Sequence, residues 1–529
     1  MNITLMNTRR TGWLFLIPLV LLMLWCMVRI PQRPLSDFAG YYFGGKAIVT
    51  GNFMQAYDME ALNFSIAAQG YKDVYVSYAP FPPFTALVSA PFSFLPVIPA
   101  KILFEVFSCL FFLFTLVRSV RHFALPDYIL LLIPLVFFTP IANNILFGQS
   151  YLLLFCLLME GYFAFKKGNV LLSSLLWALA ILFKVFPLVL FAYLLLRKKY
   201  KAFLVMGVAC VLLLLLSIGI CGAASWQFYL MRIMPRLNAG ELNHPFTHAF
   251  QSFFMLGKKL FVYDQLLHPD PAFKQAGLFV YWIGLFKALI LSVCITFTFR
   301  YKEDDFLPFS LWMLGSMLLS PNGSTYSLVL LLLPFLALLV RAKNSTAGQQ
   351  VFVLLITGVA CNLSIHRFGD FPVLLQFPRL YLLLLLFLLL LWGKRRSFQP
   401  LLFAACAGLF ILPSLWQKKK PADDSVYLLE HSTDLFTYDY TVQNGELVSF
   451  CWNGQKNEVP TGIRVRSFST EGVAIRDNQV YYKGRQMTAS ADWKKAASIL
   501  DGHKIVYLSD KGRGVCFYAL RSINLGPDK

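Results

Sequence analysis

Residues 202–222 read AFLVMGVACVLLLLLSIGICG. The run holds no charged side chain and follows directly on Arg197, Lys198, Lys199 and Lys201. A helix of about 20 apolar residues crosses the hydrocarbon of a bilayer. A basic cluster at one end marks the side on which that end stays. This stretch reads as a membrane span, and the pattern recurs outward from it in both directions.

Thirteen apolar segments are expected to be spans: 11–29, 100–118, 127–140, 150–165, 169–183, 186–196, 202–222, 276–299, 306–320, 324–340, 349–364, 374–392 and 399–416. The third, fifth, sixth and ninth are short, which suits broken helices or, for the fifth and sixth, a re-entrant pair. Residues 11–29 follow Arg9 and Arg10 like a signal peptide, but no small-residue cleavage pattern comes after them. They read as an uncleaved first span.

Composition agrees. Of 529 residues 57% are hydrophobic, 51 are Phe and only 14% are charged, where soluble domains carry about 25%. A soluble enzyme, a disordered scaffold and a fibrous protein are excluded. The net charge of +20 would suggest nucleic acid in a soluble chain. Here most Lys and Arg punctuate apolar runs, so the expected partner is membrane lipid and no nucleic acid. Eight of the ten Cys lie in or beside apolar runs, and there is no CxxC or zinc spacing.

With thirteen alternating spans most basic clusters fall on one side, the cytoplasm. Segments 30–99, 223–275 and everything after 416 then face outward, although Lys418–Lys420 run against the rule. The tail, 417–529, has no spanning run. Asp477-Asn478, Lys483-Gly484 and Asp501-Gly502 interrupt its apolar stretches as hairpin turns do. The reading is a helical polytopic membrane domain, 1–416, and a small extracytoplasmic β-rich domain, 417–529.

Four outer segments could carry chemistry. Asp37 lies just beyond the first span, ahead of Tyr41-Tyr42. In a partly dry site it is a base; otherwise it is a solvated acid or helix cap. Asp58 reads as structural. Asn143-Asn144 and Gly148-Gln149 can bind hydroxyls or simply cap a helix. Lys184, between two short runs, either meets an anion or snorkels to the interface. Arg236 could clamp an anion or be a loop charge. His244 and His248 flank Pro245 and lack the HExxH pattern, so no metal is expected. Glu105 and Glu160 sit in or near spans, close to helix ends where water is near.

Taken in order, Asp37, Tyr41-Tyr42, Gly51, Tyr57-Asp58, Pro82-Pro83-Phe84, Pro91, Leu95-Pro96, Gly148-Gln149, Lys184 with Pro187, and Ser320-Pro321 with Tyr326 resemble glycosyltransferase family 87. These are integral-membrane enzymes of the GT-C type, including polyprenyl-phosphate-mannose-dependent mannosyltransferases. The resemblance covers about residues 10–400 and omits the tail. It implies that Asp37 is the catalytic base, and that Gly148-Gln149 and Lys184 correspond to a Gly-Gln pair and a Lys-x-x-Pro lysine. Gln251-Ser252 resembles a Gln-Ser pair, with Phe250 where an Asn is usual. Ser324-Thr325 precede Tyr326 where relatives often have His.

Together, the residues and the resemblance give a substrate-binding set of Tyr41, Tyr42, Asn144, Gln149, Lys184, Arg236, Gln251 and Tyr326. They imply a polyprenyl-phosphate sugar donor, a lipid or glycan acceptor, no cofactor and transfer with inversion. The rival class is a transporter or flippase. It predicts internal repeats and mid-bilayer charges, and the sequence shows neither clearly.

Overall fold

The computed structural model describes residues 12–525 except 33–35, 72–75, 242–245, 265–267, 343–345, 393–398, 417–424, 429–435, 453–454, 491 and 512–517. His244, Lys418–Lys420 and Cys516 therefore lie outside the described residues.

Every expected span position is helical. The helices differ in length. Val97–His122, Tyr200–Cys221, Ala276–Arg300 and Thr325–Ala342 are long and apolar enough to cross a membrane by themselves. Tyr128–Val136 and Phe138–Phe147 make a fifth only as a pair, bent by 67°. The other positions carry shorter apolar helices such as Val170–Phe183 and Pro378–Leu391. At 1.5 Å per residue a 14-residue helix reaches about 21 Å, less than a hydrocarbon core of about 30 Å. The described residues thus hold four or five helices of spanning length where thirteen spans were expected.

Proline sets two of the breaks. Pro140 has no N–H for the carbonyl of Val136, and the helix ends there. Pro187 likewise cannot donate to Phe183. That carbonyl accepts from the Thr85 hydroxyl instead, at 3.0 Å, and Lys184 takes an extended conformation (φ −146°, ψ 106°). The Lys-x-x-Pro sequence therefore builds a kink with its lysine at the corner.

The expected orientation clusters pair up at one end of the bundle. Lys166 and Arg197 both meet Asp305, and Arg118 meets Glu160. Glu160 is thus an ion-pair partner. Glu105 differs from its expected wet position: it is fully buried in mid-helix, and neither carboxylate oxygen has a hydrogen-bond partner. The chain before Val97 folds over this end of the helix and removes the water.

The tail is β-rich, as expected. A five-stranded sheet runs in the order Ser425–Tyr427, Ala519–Asn524, Lys504–Ser509, Lys494–Leu500 and Phe468–Ser469. Two three-stranded sheets cover 436–464 and 473–486. Asn444-Gly445, Asp477-Asn478 and Lys483-Gly484 all have positive φ at both positions, the backbone of tight hairpin turns. The tail packs onto the residues around Phe64 and Phe228. Phe64 meets Trp452 with ring centroids 5.2 Å apart, and Phe228 meets Trp493 at 5.2 Å. Lys495 pairs with Glu60. Phe38, Tyr41, Tyr57 and Trp226 share one buried cluster with Trp452 and Trp493.

Candidate active site

Asp37 occupies the first turn of the helix Ser36–Val49, where the positive end of the helix dipole favours a carboxylate. Gly44 lets this helix lie flat against Tyr78, since a Cβ there would come within 2.3 Å of that ring. Gly148 ends the helix Phe138–Phe147 in the left-handed conformation, φ 72°. A Cβ at that position would sit 2.4 Å from Cβ of Phe38. The glycine is needed twice, for its φ and for this approach. The approach carries Gln149 to Asp37.

Tyr41 donates to Oε1 of Gln149 at 3.1 Å and lies 3.1 Å from the Ser150 hydroxyl. With its oxygen engaged, Gln149 turns its amide N–H toward Asp37, to which it hydrogen-bonds. Lys184 faces the same space. Its ammonium stands over the rings of Phe81, Tyr151 and Tyr41 at 4.6, 5.1 and 5.5 Å. Tyr151 and Tyr326 are 5.5 Å apart between ring centroids, and the charge of Asp37 acts on both phenols.

Burial raises the pKa of Asp37, while Gln149, Lys184 and Lys101 pull against the rise. Burial pushes Lys184 down to about 7, with Asp37 opposing. The cleft thus holds a carboxylate made more basic than usual beside a cation made easier to discharge. An acid and a base whose environments move them toward neutrality are a common mark of catalytic sites.

A family model, glycosyltransferase family 87, matches residues 79–321. This stretch belongs to glycosyltransferase family 87. The chain is accordingly a membrane glycosyltransferase. No curated protein and no solved structure matches it. The family-87 stretch contains Gln149 and Lys184 but begins after Asp37 and ends before Tyr326; the fold brings those two to its edge.

The other expected ligands are engaged within the protein. Asn144 donates to the carbonyls of Pro140 and Tyr326, both at 2.8 Å, and accepts from the Tyr151 amide at 3.1 Å. It positions the two tyrosines and has no donor left for a sugar. Gln251 donates to His248 and Gln376 and accepts from Arg379 N–H. It pins its loop beside a small cavity bordered by Tyr151, Ser320 and Arg379. Tyr42 donates to the Leu95 carbonyl at 2.8 Å, a staple between the helix Ser36–Val49 and the chain just before Val97. Asp58 caps the helix Met59–Ala68 by accepting from Glu60 and Ala61, as its structural reading required. Arg236 is drawn into the tail interface, where Glu241 and Asp510 take its guanidinium at 2.8 and 2.5 Å.

Sequence reasoning missed Lys101. It is fully buried, donates to the Leu146 carbonyl at 2.5 Å and acts on Asp37. A lysine inside an apolar run, four residues before Glu105, was the available signal. Among the described residues no group of three His, Cys, Asp or Glu is placed to hold a metal.

Proposed function

We propose that this glycosyltransferase moves a hexose, mannose-like, from a polyprenyl-phosphate donor to a lipid or glycan acceptor at the outer face of a cytoplasmic membrane. Asp37 takes the proton of the acceptor hydroxyl. The hydroxyl oxygen attacks the anomeric carbon from the side opposite the phosphate. The bond from that carbon to the phosphate oxygen breaks, its electron pair stays on the phosphate, and the anomeric configuration inverts. A sugar already bonded to phosphate needs no general acid, so a single carboxylate suffices, unlike the pair in an inverting hydrolase. Lys184 stabilises the charge that grows on the leaving phosphate.

The observation that carries this reading is the placing of Asp37 and Lys184 about one cleft, with Gln149 bonded to the carboxylate. The contact of the tail with Glu60 and Trp226's cluster supports a tail on the same side as Asp37. The test is transfer by purified protein from labelled polyprenyl-phosphate hexoses and from nucleotide sugars, with the product's anomeric configuration determined. Transfer from the lipid-linked sugars alone, with inversion, is expected. Use of nucleotide sugars, or retention, overturns the proposal.

A further inference from the structure

The helix Val97–His122 carries Lys101 near the cleft and Arg118, Arg121 and His122 in its last turns. Seventeen residues separate Lys101 from Arg118, about 26 Å along a helix at 1.5 Å per residue. The two ends therefore belong to opposite faces of the membrane.

At the far end the first span and this helix leave a groove of about 960 Å³ between them. Its walls are Ile17, Leu21, Leu110 and Phe114, with relative exposures of 48, 59, 63 and 58%. Arg118, Arg121, His122 and Lys167 close one end. No carboxylate lines the groove among the described residues. Glu160, the partner of Arg118, also accepts from the Thr115 hydroxyl at 3.2 Å. An apolar channel with a net cationic end matches one kind of occupant: acyl chains joined to an anionic headgroup.

We propose that this groove is a binding site for an anionic glycerophospholipid of the leaflet opposite the Asp37 cleft. The acyl chains lie along Leu21, Leu110 and Phe114. The phosphate meets Arg121 and Lys167, with Arg118 behind them. A soluble anion would gain only the cations, and a zwitterionic lipid only the walls. The lipid that gains both is held with preference. Basic pockets between helices at that membrane face bind acidic headgroups for the same reason, each Lys or Arg contributing about fivefold in affinity.

The test is native mass spectrometry and thermal melting of the full-length protein with phosphatidylglycerol, with phosphatidylcholine and with inorganic phosphate. Retention of phosphatidylglycerol at least tenfold above phosphatidylcholine is expected, with a rise in Tm that inorganic phosphate does not reproduce. An Arg121→Gln/Lys167→Gln variant should lose the preference and keep its melting point in phosphatidylcholine. Leu110→Trp, which fills the groove without touching a charge, should expel the bound lipid. Equal retention of the two lipids overturns the site. So does a preference that survives both variants, because it then resides in the other basic clusters or in the chain's own N-terminal residues. Neither readout depends on the transfer reaction.

Discussion

Lys184 and Arg236 occupy two pockets at the same end of the molecule, and both stand over aromatic rings. Phe81 lies 4.6 Å from Lys184 Nζ, and Trp493 lies 5.3 Å from the centre of the Arg236 guanidinium. The pockets differ in their carboxylates. Burial alone would lower Arg236, but Asp510 and Glu241 outweigh it and raise its pKa. Lys184 has Asp37 acting at a distance, and burial wins. A cation neutralised by the fold contributes to structure. A cation left short of negative charge and buried is ready for an anion from outside, which under the proposed function is the donor phosphate.

Four experiments break or sharpen this contrast, from the largest effect on transfer to the smallest. Asp37→Asn should keep the fold and lose transfer by roughly 10²–10⁴-fold, the usual cost of a missing base. Near-normal turnover of purified Asp37→Asn removes Asp37 from the chemistry. Lys184→Met should lose roughly 10²-fold in single-turnover transfer at saturating donor, as for one strong electrostatic donor. Lys184→Arg should retain part of the activity. Unchanged rates for the Met variant would leave Lys184 a snorkelling side chain.

The third experiment is a pH profile. Asp37 must be charged to accept a proton, and its pKa is raised. Transfer is therefore lost as pH falls through a value above the ordinary carboxylate pKa of about 3.9. Lys184 must be protonated, and its pKa is about 7. Transfer is therefore lost as pH rises through 7, about tenfold per unit beyond the limb. A bell-shaped kcat/KM is expected, its alkaline limb abolished in Lys184→Arg. A limb that persists there belongs to another group.

The fourth experiment concerns the other pocket. Asp510→Ala should destabilise the protein by about 3 kcal/mol, because it leaves most of a buried charge uncompensated. Arg236→Met/Asp510→Leu should recover much of that loss. Both should transfer within about threefold of the parent per folded molecule. A hundredfold loss in Arg236→Met, with Asp510→Ala silent, would move Arg236 to the donor phosphate.

The helices were legible in the sequence because apolar runs between basic clusters have few other solutions in a bilayer. Their lengths were less so. Pro140 and Pro187 cut helices inside stretches that read as continuous, and hydrophobicity does not register a missing N–H. Asp37, Gln149 and Lys184 could be picked as candidates because polar groups beside apolar runs are costly without a purpose; that they meet is seen only in the fold. Asn144 and Gln251 looked alike from the sequence. Only the fold reveals that backbone groups of Tyr326, Tyr151, Gln376 and Arg379 use up their amides. Arg236 was beyond reach, since its partner Asp510 lies 274 residues further along. Lys101 escaped because a charge four residues after the start of a long helix resembles an end marker until the preceding chain is seen to cover it.

The distance between Arg236 and Asp510 also has a meaning in time. A ribosome adds about 5–20 residues per second, so Asp510 is made roughly 14–55 s after Arg236. Lys495 trails its partner Glu60 by still more, 435 residues. During that interval Arg236 has Glu241 but not yet Asp510. The last strands to be made fasten segments made far earlier, so the packing around Glu60 and Arg236 is completed only when translation of the tail is nearly done.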